Sequence, residues 1–425
     1  MISRHLWFLR LTLQRVGVRV AGFAVLALLS VAFARILAPF LPDHLALEAG
    51  AEAVEQILGV LATSMLAVTT FSLSIAVSAF TAAAETATPR ATELLQQDKT
   101  AQNVLATFLG AFLFGLLGLI ALNAGLYDAP GRVVLFVVTL AVVALVIIAL
   151  IRWIDHLTSF GRMGNTLDRV EAAATEALLT RLDNPYLGGH PLHDAPPAHG
   201  GTDVTADETG YVQHIDMQAL DNCAAEIGAQ LHLGVLPGTF VSLRQKLLTA
   251  QGEAPSDAQA VALRRAFTIG RARTFRDDPR FGLIVLGEIA ARALSPAVND
   301  PGTAIAVLGR VERILSSWYD RVDPDIAFAH VHVPPVAPDA ALIDAFRPIA
   351  RDGGRLIEVQ LRLQKSLAGL VHAAPDAFAS PAAAMSHYAV RQAEAAALAD
   401  DDINELHKIA ERLDAACRDA ISKSV

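Results

Sequence analysis

The chain of 425 residues holds two cysteines, and charged residues make up only 18% of it. Cys223 and Cys417 are too few and too far apart for a disulfide framework, which fits a reducing compartment. Also missing are a G-x-S-x-G elbow, an H-E-x-x-H pair, a P-loop, a dinucleotide fingerprint and any paired C-x-x-C. No enzyme, metal or cofactor is therefore expected. Nor is there a basic surplus: residues 1–156 carry nine Lys or Arg against nine Asp or Glu, so the formal charge of −9 falls on residues 157–425. An acidic second half argues against nucleic acid as a partner.

What the chain has instead is apolar length. It is 53% hydrophobic with a mean hydropathy of +0.42, so part of it belongs in a lipid bilayer. A basic amphipathic segment, residues 1–19, bears Arg4, Arg10, Arg15 and Arg19 and suits a membrane surface. Four apolar runs follow, at about 20–41, 57–84, 104–124 and 133–151, each long enough to span hydrocarbon. The leader and first run share the grammar of a signal peptide around Ala32, Phe33 and Ala34, but the run continues to spanning length. The expected unit at 20–153 is thus a four-helix membrane domain.

Positive charge is retained on the cytoplasmic side. The leader carries four Arg, the loop after the first run carries only acids (Asp43, Glu48, Glu52, Glu55), and Arg152 and Arg162 follow the last run. Both termini are therefore expected inside, in a cell inner membrane, with Glu48, Glu52 and Glu55 around an outer vestibule. Arg35 is the one charge inside an apolar run; it either snorkels to the outer interface or pairs with Glu52 or Glu55.

The second run holds a polar row. At about 100° per residue, Thr63, Thr70, Ser74, Ser78, Thr81 and Glu85 fall within roughly an 80° sector. One reading is helix packing, with each hydroxyl satisfied by its own backbone. The other is a water-contacting path lining. Four helices cannot enclose a wide pore alone, so the second reading calls for several copies around an axis.

Beyond Trp153 the composition is that of a soluble domain. It divides into a helix entering the cytoplasm (154–183), a flexible turn-rich loop (184–210), a small β-rich subdomain (211–250) and a mainly helical remainder (251–425). The fold class expected is an α-helical membrane protein with an α+β cytoplasmic domain. His330 and His332 have the spacing to share a strand face, although no third metal ligand accompanies them, and the loop histidines His190, His193 and His199 lack fixed geometry. Asp278-Pro279 and Asp300-Pro301 each match an N-cap followed by proline at the first helical position.

The strings RARTFRDDPRFG (Arg271 to Gly282) and ALSPAVNDPGTA (Ala293 to Ala304) resemble those of the predicted membrane protein family called domain of unknown function 2254. Thr63-Ser64-Met65-Leu66, Phe71-Ser72-Leu73, Pro89-Arg90, GYVQHID (Gly210 to Asp216) and PGTFV (Pro237 to Val241) are similar to further pieces of it. The resemblance covers most of residues 55 to 320, and it departs at Ala82 to Thr88, where AAAETAT replaces a more polar stretch. It implies four membrane helices and a cytoplasmic domain and marks Arg271, Arg273, Asp278, Asn299 and Asp300 as a motif cluster, without supplying an activity. Val235 to Leu248 resembles the β-hammerhead of biotin- and lipoyl-carrier domains, minus their acceptor lysine. The function expected is a homo-oligomeric channel or transport-like protein with the second helix along the path. The alternative is a membrane-anchored scaffold or sensor.

Overall fold

A computed structural model of the chain describes residues 16–37, 49–96, 98–127, 129–159, 162–192, 200–319 and 325–424. Arg4, Arg10, Arg15, Glu48, His193 and His199 lie outside these residues, as do the side chains of Arg19, Arg35 and Glu52. The helices before the first strand are α1 (Val16–Leu37), α2 (Ala49–Thr86), α3 (Pro89–Gln96), α4 (Lys99–Asn123), α5 (Ala129–Ser159) and α6 (Met163–Asp183). Among the described residues three helices are long and apolar enough to cross a membrane, at 53–85, 99–123 and 131–157; α1 contributes a shorter apolar stretch, Val20–Phe33.

The chain forms two compact units, one of residues 1–85 with 92–165, the other of residues 86–91 with 166–425. In the first, α4 is the helix against which the others close. Its glycines are the reason. A Cβ on Gly115 would stand 3.0 Å from the Leu58 carbonyl oxygen, and one on Gly110 would overlap the Phe23 ring, so α2 and α1 approach the α4 backbone closely. Apolar side chains gain little by leaving lipid for protein, so such close van der Waals packing is what holds membrane helices together. At the α4 N-terminus Asp98 accepts from the Thr100 and Ala101 N–H groups at 2.7 and 2.9 Å and meets His156 Nε2 of α5 at 2.9 Å. Ser30 of α1 and the Tyr127 hydroxyl, 2.8 Å apart, tie the opposite turn.

The second unit mixes sheet and helix. Its strands are β1 (His190–Pro191), β2 (Thr202–Thr205), β3 (Gly210–Ile215), β4 (Ala229–Leu233), β5 (Phe240–Val241), β6 (Lys246–Gly252), β7 (Phe267–Gly270) and β8 (Val331–Val333). They form a five-stranded sheet, β1-β8-β4-β6-β2, and a three-stranded sheet, β5-β3-β7. Helices α7 (Met217–Ile227) and α8 (Asp257–Arg265) complete this part, and its core is built from Leu220, Leu231, Leu233, Val241, Leu248, Leu263, Phe328 and Val331. The remaining helices are α9 (Phe281–Ala293), α10 (Pro301–Ser316), α11 (Pro338–Asp352), α12 (Ile357–Ala373), α13 (Pro375–Ala395) and α14 (Asp400–Ser424). They pack as α9 on α10 and α11, α10 on α12, α11 and α12 on α13, and α14 on α12 and α13.

Three expectations need correction. The β part is not confined to 211–250: strands run from His190 to Val333, because β8 returns to the five-stranded sheet after three α-helices have intervened since β6. The turn-rich segment 184–210 contains β1 and β2, which pair with β8 and β6. Between Trp153 and Asp183 there are two helices, α5 and α6, rather than one running on.

The glycine packing makes a direct prediction. Gly115→Leu should lower the thermal stability of the detergent-solubilised protein by about 1–3 kcal/mol through overpacking, whereas Gly59→Leu, where a Cβ meets nothing within 4 Å, should leave it unchanged. Equal melting temperatures for the two variants would show that α2 and α4 do not pack this way.

Candidate functional site

Helix α2 has two unlike faces. Val54, Leu58, Leu61, Met65, Ser72, Ala76 and Ala83 are buried. At about 100° per residue they fall on one line, and Thr63, Thr70, Ser74, Ser78, Thr81 and Glu85 fall roughly 180° away. All six of the latter are exposed, as is Glu55. The polar row therefore looks directly away from the bundle that α2 packs into. Three of its hydroxyls are already satisfied: Thr63, Thr70 and Thr81 donate to the carbonyls of Gly59, Leu66 and Val77 at 2.9, 2.5 and 3.0 Å. Ser74 and Ser78 have no hydrogen-bond partner among the described residues.

At its end, α2 passes into the other unit. Residues 86–91 belong with the second unit, and Ala87 and Ala91 are fully buried. Arg90 forms an ion pair with Glu288 of α9. Burial raises the Glu288 carboxyl above the ordinary carboxylate range, and the charges of Arg90 and Arg273 oppose that rise. Glu288 was not singled out by sequence, since a lone acid in an apolar helix carries no motif.

Arg273 leads from there into the cluster. It clamps Asp278 in a two-toothed ion pair, Nε to Oδ2 at 2.6 Å and Nη2 to Oδ1 at 3.0 Å, and Asp278 is 2% exposed. The same guanidinium stands 5.6 Å over the Phe281 ring. Gly238, at φ +92°, presses against the Asp278 carboxylate so closely that a Cβ would collide with it. The PGTFV turn is thus held on the RARTFRDDPRFG loop. β3 joins them, with Gln213 Nε2 donating to the Ala272 carbonyl at 2.7 Å and His214 Nδ1 lying 2.9 Å from Asp277. Four of the family-like strings, including Pro89-Arg90, therefore converge through side chains.

The string ALSPAVNDPGTA builds its own loop. Asp300 caps α10 as expected, accepting from Thr303 N at 3.0 Å with Pro301 following, and Asn299 takes φ +51°. Asp278 is not the N-cap: α9 begins after Arg280, which has no side-chain cap, while the Asp278 carboxylate is held by Arg273 and accepts from the Arg280 N–H at 3.1 Å. Arg271 is exposed and has no partner among the described residues.

His330 and His332 part company. His330 turns to Asp221 of α7 at 3.0 Å. His332 stands between His190 and His232, with ring centroids 5.2 and 4.7 Å apart. His232 is the member that sequence reasoning missed; the register of β4 with β8 places it there. Among the described residues no group of three or more His, Cys, Asp or Glu has metal-holding geometry.

One further residue stands out. Arg181 continues the buried row Leu167, Val170, Ala174 and Leu178 of α6, is 5% exposed, and none of its three nitrogens has a partner among the described residues. Burial alone lowers its pKa to about 10, so it stays charged at neutral pH. Its spacing in the sequence would have revealed it. By contrast Arg273, Arg280, Arg310, Arg313, Arg351 and Arg362 each meet a carboxylate.

Long apolar helices joined to an acidic, sheet-containing part define a membrane protein with a large sheet-containing C-terminal region. The chain belongs to the family described as Predicted membrane protein (domain of unknown function 2254), whose profile matches residues 4–369. It is similar to an uncharacterised protein of Mycobacterium bovis, 30% identical over 271 residues, covering 61% of this chain and 50% of that protein. An uncharacterised protein of Mycobacterium tuberculosis matches at the same identity and coverage. The chain spans about half the length of these curated relatives. No solved structure matches it.

The buried Arg181 and the part-buried Arg273 should respond oppositely to mutation. Arg273→Met leaves Asp278 buried without its cation and should cost about 3–5 kcal/mol, while Arg181→Met removes an unpaired buried charge and should be neutral or stabilising; chemical denaturation of both variants checks the pair. His214 gives a pH test. Its pKa is raised, first by the hydrogen bond to Asp277, so the pair's contribution is present below about pH 6.5 and is lost as pH rises through the folded value. Because the imidazole is more than half exposed, His214→Gln should cost only a fraction of a kcal/mol at pH 5.5 and nothing at pH 8.5.

Proposed function

We propose that the chain is a homo-oligomeric channel or transport-like protein of the cell inner membrane. Its first helix serves as a fourth span, both termini are cytoplasmic, and α2 lines the path. The observation that carries this is the position of Ser74 and Ser78: exposed, opposite the packed seam, and without a partner among the described residues. A hydroxyl facing lipid without a hydrogen bond is costly, and water in a path between copies removes the cost. Glu48, Glu52 and Glu55 would attract cations at the outer mouth, and Glu85 would stand at the inner one. The join of α2 to residues 86–91 gives the soluble unit a handle on the lining helix.

A second reading, a membrane-anchored scaffold or sensor, draws on the hydroxyls of Thr63, Thr70 and Thr81, which already bond to their own backbone. The two readings part on accessibility. In liposomes, the protein should pass monovalent cations, and Ser74→Leu with Ser78→Leu should cut the flux at least tenfold. Ser74→Cys and Ser78→Cys should react with a membrane-impermeant thiol reagent while Leu73→Cys, on the flank of the helix, should not; both native cysteines are buried. Absent flux together with no labelling of the Ser74→Cys and Ser78→Cys variants would leave the tether.

A further inference from the structure

A second place on the soluble unit has the make-up of a ligand site. The loop that leaves α9 at Leu294, Ser295 and Pro296 faces the connection from α11 to α12 across a cleft of about 470 Å³. Ala291, Leu294, Pro296 and Ala396 give it an apolar wall, and Ser295, Arg351, Asp352, Gly354 and Arg355 give it a polar one. A volume of this order accommodates a small molecule. The cleft borders the string ALSPAVNDPGTA, whose loop is set by the Asn299 and Asp300 N–H bonds to the Ser295 and Ala293 carbonyls, both at 2.8 Å.

Its charge is opposite to that of its surroundings. Two arginines and one aspartate line a cleft in the half of the chain that carries the whole formal charge of −9. Arg351 holds Asp352 in a two-toothed pair at 2.6 and 2.9 Å, which neutralises that carboxylate and keeps the arginine beside the cleft. Arg355 is exposed and has no partner among the described residues, so its whole fork of donors remains free. Gly354 fixes the connection: a Cβ there would stand 2.9 Å from the Gln392 carbonyl oxygen, so the loop lies flat against α13. Two residues after Arg355, α12 begins without a side-chain cap on Leu356, and the positive end of its dipole adds the same sign, offset in part by Glu358 in its first turn.

We propose that this cleft binds a small phosphoryl-bearing anion. Guanidinium forks match the several acceptor oxygens of a phosphoryl group, and the apolar wall receives whatever the group is attached to. Neither the membrane helices nor the α2 row enters this assignment, so it stands independently of the channel reading. The phosphoryl group has two sources, a soluble phosphorylated compound or the headgroup of a membrane lipid.

Titration calorimetry on the full-length, detergent-solubilised protein separates them. Inorganic phosphate and a short-chain phosphatidic acid are titrated in parallel into wild type, Arg355→Met and Arg355→Lys. Saturable heat with phosphate supports a soluble ligand, and heat with phosphatidic acid alone supports the lipid headgroup. In either case Arg355→Met should weaken binding at least tenfold, with Arg355→Lys between it and wild type. Because Arg355 is exposed and has no partner among the described residues, both variants should keep the wild-type melting temperature, and an Asp352→Asn variant, which removes the one acid among the described residues lining the cleft, should bind at least as tightly as wild type. No heat with either titrant, or equal affinity in wild type and Arg355→Met, overturns the assignment.

Discussion

The ion pair between the buried Asp278 and the part-buried Arg273 is the interaction on which the second unit depends. A carboxylate at 2% exposure is tolerable only if its charge and lone pairs are answered, and here the guanidinium answers with two hydrogen bonds while the Arg280 N–H supplies a third at 3.1 Å. Everything nearby is shaped by that arrangement. Gly238 must lack a side chain because the carboxylate occupies the space one would take. Phe281 presents its ring to the cation, and α9 starts after Arg280, whose N–H bonds the engaged Asp278.

This geometry explains why distant strings of the sequence act as one. β3 and the Pro237-Gly238 turn are joined by paired backbone bonds, Gly238 N to Val212 O at 2.8 Å and Val212 N to Thr239 O at 2.9 Å. The turn rests on Asp278, Asp278 on Arg273, and α9 carries Glu288, which holds Arg90. Arg90 lies five residues after the last residue of the polar row. A chain of contacts therefore runs from the motif cluster to the covalent continuation of α2, all within one unit.

Periodicity made the membrane helices legible, because length and apolar content are properties of a local run. It also placed the polar row, since residues at helical spacing must share a face whatever the helix packs against. It could not say which face meets the bundle. That depended on Gly115 and Leu58, which are 57 positions apart. The sheet was harder for the same reason: β1 has two residues and β8 has three, and they are strands only because β8 finds β4 on one side and β1 on the other. At the cluster, the N-cap pattern read correctly at Asp300 and wrongly at Asp278. The pattern is identical in both, and the difference is an arginine five residues upstream that only the fold brings to bear.

The division of α2 into two faces separates two kinds of constraint on one helix. On the seam, Leu58 and Ala62 meet α4 at backbone distance, so a change of volume is resisted by close packing. On the row, Thr70, Ser74 and Ser78 are exposed and bond to nothing beyond their own helix among the described residues, so their identity contributes little to the fold of a single copy. Serine and threonine are costly choices for a lipid-facing position when leucine or valine would serve, and the flanks of the same helix do use Leu66, Phe71, Leu73 and Val77. Six polar residues confined to the sector opposite the seam are therefore not accounted for by the folding of one chain. Their cause must lie in what that face meets, whether water or a second helix.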